Sequence, residues 1–225
     1  MNWNDFLQEE GKKEYFKVLK DFIKEERLTK EIYPAKEQLF IPFKYTPFDN
    51  VKVVILATEP YTVDVNDGLA WSVRSHERSA PLKNILEEVR NDWAPLFKDK
   101  DQIFKTNSLV QWAQQGVLLW NVILTVEKKN PGAHKNKGWE MFTAAMLQLL
   151  SKEKKHVVYM LWGKAAMEMA PYINHYDNLV LTATHPHPRM ANKGGWFGCR
   201  HFTKCEKYIV EKFHGSKLSI NWFLL

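Results

Sequence analysis

Cysteine is scarce in this chain. Only Cys199 and Cys205 occur among 225 residues, so a disulfide framework is not expected and a reducing compartment fits better. His201 and His214 lie close by, but the spacing matches no standard zinc pattern; buried thiols are expected and no metal site is assigned. No run of eighteen apolar residues is present, so no membrane span is expected. The opening stretch MNWNDFLQEEGKKEYF is polar and has no apolar core of signal-peptide type, which points to a cytoplasmic location. No linker rich in Gly, Pro or Ser divides the sequence, and there is no internal repeat or low-complexity tract. One domain over residues 1–225 is therefore expected, as the length allows.

What is present is a mixture typical of a soluble globular protein, with 45% apolar residues and charges of both signs. The net charge of +6 suits a polyanionic partner, although many basic proteins bind none. Nine tryptophans are many for this length, and most should be core or anchoring residues.

Periodicity organises the chain. The first thirty residues place Phe6, Tyr15, Phe16, Leu19, Phe22 and Ile23 near one helical face. IYPAKEQLF breaks at Pro34 and starts a short helix. VKVVIL (51–56) is a β-branched run of the kind covered on both faces. Further strands are expected in GVLLWNVIL (116–124), HVVYMLWG (156–163) and LVLTATHPHP (179–188). Helices are expected in SAPLKNILEEVRNDW, WEMFTAAMLQLL, AAMEMAPYI up to Pro171, and GCRHFTKCEKYIVEKFH. Strands alternating with helices predict an α/β fold with a parallel sheet between helical layers. Ligands of such sheets bind outside the carboxyl ends of the strands. Unusual residues follow those ends: Glu59 and Tyr61 after the first, Asn121 at the second, His185 after the fourth. Taken singly, each has a plain reading. A glutamate after a strand is commonly a helix cap or a solvated loop residue. Tyr61 and Trp71 read as core, His185 as a loop residue, and Asn121 as a turn cap.

Taken together, the motifs resemble family 1 uracil-DNA glycosylases. The carriers are IYPAKEQLF, VKVVIL, DGLAWSV (67–73), QGVLLWNVILTV (115–126), AHKNKGWEMFT (133–143), MLWG (160–163), and HPHP followed by GWFGCRHF (195–202). The match runs from Trp3 to Trp222. The resemblance implies a three-layer α/β/α sandwich around a central, mainly four-stranded parallel twisted sheet. It implies an enzyme that flips uracil out of DNA and hydrolyses its N-glycosidic bond, leaving an abasic site, with no cofactor. It assigns Glu59 to the water-activating acid and His185 to the imidazole that donates to the uracil oxygen. Tyr61 takes the place of the ring that excludes a thymine methyl, Trp71 that of the stacking aromatic, and Asn121 that of the amide reading the Watson–Crick edge. Thr58 lies along the uracil pocket, and Pro81, His187, Pro188 and Arg189 fall in the DNA-binding loops. Uracil-containing single- or double-stranded DNA is the implied partner. A proteinaceous inhibitor is a further partner the family admits, and the expected state is a monomer.

Three stretches depart from the family pattern. Gly-Gln-Asp-Pro-Tyr-His is here Ala57-Thr58-Glu59-Pro60-Tyr61-Thr62, so the acid is one methylene longer and the histidine that supports it is gone. His-Pro-Ser-Pro-Leu-Ser is here His185-Pro186-His187-Pro188-Arg189-Met190, so an arginine replaces the leucine wedge. The proline–serine loop is altered to Ser79-Ala80-Pro81, and phosphate contacts are expected to shift to Arg74, Lys83, His187, Arg189 and Lys193. Three functions fit this mixture: an active uracil-DNA glycosylase, a glycosylase with altered base preference, and a DNA-binding or decoy homologue that has lost catalysis.

Overall fold

The computed structural model describes residues 2–94, 104–213 and 219–223. The N-terminal segment forms two helices where the sequence suggests one, α1 (Trp3–Lys12) and α2 (Glu14–Thr29), separated by an extended Lys13 at φ −75° and ψ 141°. Ten residues separate Phe6 from Phe16, so an unbroken helix would turn them about 80° apart. The break lets both rings reach Phe142, at centroid distances of 5.2 and 5.1 Å. Burial of aromatic surface thus overrides a continuous helical pattern.

In chain order there follow β1 (Ile32–Tyr33), α3 (Ile41–Tyr45), β2 (Val53–Ala57), α4 (Ala80–Trp93), α5 (Val110–Gln114), β3 (Val117–Asn121) and β4 (Val126–Glu127). The chain continues through α6 (Trp139–Glu153), β5 (Val158–Trp162), α7 (Lys164–Met167), β6 (Leu179–Ala183), α8 (Pro188–Ala191) and α9 (His201–Phe213). Strands β3-β2-β5-β6 form a parallel four-stranded sheet in that order. Strands β1 and β4 form a separate antiparallel pair that two residues of sequence each could not announce. No helix among the described residues is long and apolar enough to cross a membrane.

Alternation along the strands divides the core in two. Val53, Ile55, Leu119, Met160 and Trp162 pack on one face with residues of α4, α5 and α9. Val54, Leu56, Leu118, Trp120 and Leu161 pack on the other with residues of α1, α2 and α6. β2, β3 and β5 are buried along their whole length, which is why they read as near-continuous apolar runs, whereas the edge strand β6 is partly buried with Thr182 exposed.

Three sequence expectations are revised at their ends. The strand from Gly116 stops at Asn121, where the chain bends, although Val122 N and Ile123 N still donate to the carbonyls of Ala57 and Thr58 at 2.9 and 3.0 Å. The helix expected up to Pro171 is only the single turn of α7, followed by a 3-10 turn over Ala170–Tyr172 that contains the proline. The last helix starts at His201, and His214 lies outside the described residues. Its first turn is preceded by backbone held from α4. The Glu88 carboxylate, fully buried, accepts from Gly198 N at 2.8 Å and Arg200 N at 3.1 Å.

Gly116 sets the start of β3. Its carbonyl accepts from Lys52 N and Val53 N at 2.9 and 3.1 Å, and its φ is +105°. A Cβ there would lie 2.3 Å from the carbonyl oxygen of Asn50, a backbone atom that cannot swing aside. Gly116→Ala should therefore lower the unfolding free energy by about 2 kcal/mol or more, combining strain with the clash. Urea denaturation followed by circular dichroism reads this; a loss below about 0.5 kcal/mol would contradict it.

Candidate active site

Parallel pairing leaves the carboxyl ends of the strands nearly level. Ala57 is opposite Asn121, and Trp162 is opposite Ala183. The loops leaving these ends enclose a cavity of about 590 Å³. Thr58, Glu59, Tyr61, Trp71, Pro81, Asn121, His185 and His187 all line it. Pro188 and Arg189 do not; they open α8 just beyond, and Arg189 is exposed.

The Glu59 carboxyl is half-buried, and Gly132 N donates to its two oxygens at 3.1 and 3.0 Å. Burial raises its pKa above the ordinary value, and the Gly132 hydrogen bond opposes that rise. Tyr61 is fixed at both ends. Its backbone N donates to Asn66 Oδ1 at 3.0 Å, and Asn66 Nδ2 donates back to the Tyr61 carbonyl at 2.8 Å. Its hydroxyl lies 3.2 Å from the Trp71 carbonyl and 2.7 Å from Ser79 Oγ. Burial pushes the phenol up to about 12, so it stays neutral and can keep donating.

Trp71 is held in the left-handed region, with φ 67°, a conformation that strains a bulky residue. The preceding Asp67 carboxylate over-determines this loop by accepting from Ser72 Oγ, from Ser108 Oγ at 3.2 Å and from Leu69 N at 3.2 Å. The indole meets the His185 ring edge-on, with centroids 5.0 Å apart at 65°. Asn121 is 8% exposed, and its Oδ1 has no hydrogen-bond partner among the described residues. A buried acceptor left unpaired costs free energy unless a bound group supplies the missing N–H.

His185 Nδ1 accepts from His187 N at 3.0 Å, so the neutral ring carries its proton on Nε2. Burial first, and the neighbouring His187 second, bring its pKa down to about 4. The ring is backed by Gly163, where a Cβ would sit 3.0 Å from the imidazole Cδ2. Asn84 Nδ2 holds the intervening Pro186 carbonyl at 2.8 Å. His187 Nδ1 accepts in turn from Arg189 N at 3.2 Å. Lys83 and Lys193 are exposed, and Arg74 forms a surface ion pair with Asp64. Gly132, Asn66, Asp67 and Asn84 escaped the sequence reading. Gly132 sits in an Asn-Pro-Gly run that signals only a turn; Asn66 and Asn84 act on backbone groups, and Asp67 on two serine hydroxyls and one amide, partners that no spacing reveals. Cys199 and Cys205 are free thiols, and the described residues contain no cluster of three or more His, Cys, Asp or Glu able to hold a metal.

The His185 shift has a consequence for stability. The unfolded chain protonates this ring near 6.5, the folded chain only near about 4. Its contribution is thus fully present above pH 6.5 and is lost as pH falls to about 4. His201, lowered to about 4 chiefly by burial, acts in the same window. The unfolding free energy of His185→Asn should fall less steeply than that of the wild type across this range, as measured by urea titration; parallel slopes would rule the account out.

Comparison with known proteins places this arrangement. The family model for the uracil DNA glycosylase superfamily matches residues 43–210. The chain is 42% identical to the uracil-DNA glycosylase of Amoebophilus asiaticus, over 98% of this chain and 97% of that one. It is also 42% identical to that of Francisella tularensis subsp. holarctica, over the full length of both. A mimivirus uracil-DNA glycosylase structure superposes with a TM-score of 0.87 at 23% identity, covering 98% of this chain and 85% of that one, which establishes the likeness of fold. The chain belongs to the uracil DNA glycosylase superfamily.

Proposed function

We propose that this protein hydrolyses the N-glycosidic bond of uracil in DNA and leaves an abasic site. The observation that carries the reading is the convergence of Glu59, Tyr61, Asn121 and His185 on one cavity, in a chain 42% identical over its length to curated uracil-DNA glycosylases.

The bond is inaccessible inside a duplex, so the nucleotide must leave the stack and enter the pocket. There the braced Tyr61 ring occupies the space a 5-methyl group would need, and Trp71 offers its face to the base. Asn121 Oδ1 accepts the ring N–H while its amide nitrogen donates to the carbonyl beside it. As the bond breaks, negative charge gathers on the departing base and positive charge on the sugar. His185 Nε2–H meets the first charge as a neutral donor already in place, and Glu59 meets the second and orients the attacking water. Thr58 lines the base pocket. At the mouth, Pro81 and Pro188 shape the strand path, His187 donates to a phosphate, and Arg189 enters the space the base has vacated. Such contacts to the strand make binding steeply salt-dependent. Mimivirus UNG variants in complex with UGI are among the similar solved structures, and a proteinaceous inhibitor is a further partner this reading admits.

A uracil-containing oligonucleotide tests the reading. The wild type should release free uracil and leave a site cleaved by alkali, and Glu59→Gln should lower the rate by about 10²-fold or more. A folded wild type that binds the DNA without release would favour the inert binder instead. Tyr61→Ala should admit thymine, detected as thymine release from unmodified DNA; undiminished rejection would remove the steric role.

A further inference from the structure

The acid in this cavity is held from a loop that carries none of Thr58, Tyr61, Asn121 and His185. Gly132 N reaches across 73 residues of sequence to both oxygens of Glu59, at 3.1 and 3.0 Å. The loop that carries Gly132 is anchored at three points. Lys129 N donates to the Thr62 carbonyl at 2.9 Å, tying the loop to the segment that bears the acid. Lys135 N closes a turn onto the Gly132 carbonyl at 3.1 Å. The buried His134 ring lies 2.7 Å from Thr125 Oγ1, which also accepts from Trp139 Nε1 at 2.7 Å. The hydroxyl can give its proton to Nδ1 or accept one from it, so either imidazole tautomer keeps this tie. The amide of Gly132 is therefore a fixed donor at a fixed distance from the end of β2.

We infer that Gly132 is a positioning residue for Glu59, and that the site is built to the length of a glutamate. The inference rests on the reading of Glu59 as the acid of the reaction. A single N–H spanning both oxygens sets the plane of the carboxylate as well as its depth in the cavity. It also favours the ionised form, the form that can orient water and face a cationic sugar. Removing one methylene retracts the carboxylate by about 1.5 Å. A bond of 3.0 Å then opens beyond hydrogen-bonding distance. Aspartate, the residue in the related motif, is consequently the wrong length here. The lost histidine at position 62 fits the same picture: support enters from outside the motif through Gly132, on a loop tied back to the Thr62 carbonyl.

Glu59→Asp separates this from a merely tolerated substitution. On a uracil oligonucleotide its kcat should fall about 10- to 100-fold with KM unchanged, since the acid is misplaced and the base pocket is not. In ¹⁵N–¹H spectra the Gly132 amide of the wild type should titrate with Glu59. The same resonance should move upfield and lose that titration in Glu59→Asp. A Glu59→Asp enzyme at least as fast as the wild type would overturn the inference, and so would a Gly132 resonance indifferent to residue 59. A folded wild type that releases no uracil would defeat the functional reading instead, and the Gly132 resonance would still decide the clamp.

Discussion

Burial of a parallel sheet on both faces is the constraint from which the cavity follows. Strands covered above and below by helices can present polar groups only at their ends, and parallel pairing gathers the carboxyl ends on one side. The register Ala57 opposite Asn121 brings the end of β2, two residues before Glu59, beside the amide on β3. The loops there must leave the sheet with their backbone groups unpaired by any ladder. Side chains supply the partners: Asn66 for the Tyr61 segment, Asp67 for the turn into Trp71, and Asn84 for Pro186. Fixing these polar groups is what gives the cavity its shape, and a loop chosen only for solubility would not do it.

Helix α4 is the element through which several of these fixings run. Its N-cap Ser79 lies against the Tyr61 hydroxyl, and Asn84, Glu88 and Asp92 follow at four-residue spacing on one face. They hold the Pro186 carbonyl, the Gly198 and Arg200 amides, and Thr203, where Asp92 accepts from N at 2.9 Å and from Oγ1 at 2.5 Å. The whole segment from the histidine loop to the start of α9 is thus registered against one rigid helix. The apolar residues Leu82, Ile85, Leu86 and Val89 bury the same helix against the sheet. Core packing and loop geometry are coupled, so a shift of α4 moves Tyr61 and His185 together.

This coupling explains what the sequence made legible. Strands that alternate inward on both faces are apolar throughout, and helices that cover them are amphipathic; both leave a period, and both were readable. The positions of Glu59, Asn121 and His185 followed from the strand ends, and their convergence in one cavity matches that reading. The break at Lys13 was not readable, because it answers the place of Phe142, more than a hundred residues away. Nor was Gly132, whose contribution is a backbone amide that every residue but proline has. Nor was the pairing of Arg74 with Asp64, ten residues apart in the one segment between β2 and α4, which closes on itself.

The electrostatics of the cavity pull against the fold. Burial raises the Glu59 pKa and lowers that of His185, so in each case the protein favours the uncharged form. In the proposed reaction this preference serves the imidazole, because a neutral ring with its proton on Nε2 is the donor that reaction needs. In the same proposal it opposes the carboxylate, because only the ionised form can face positive charge. The two groups sit in one cavity and cannot be desolvated independently: opening the site to water would relieve the acid and also let the imidazole charge. A local donor aimed at the acid alone resolves the conflict, and Gly132 is such a donor. Its hydrogen bond offsets part of the desolvation of the carboxylate and leaves the lowered pKa of His185 untouched. The burial that keeps the imidazole neutral and the hydrogen bond that favours the carboxylate are thus separate devices, one acting through the cavity as a whole and one through a single amide.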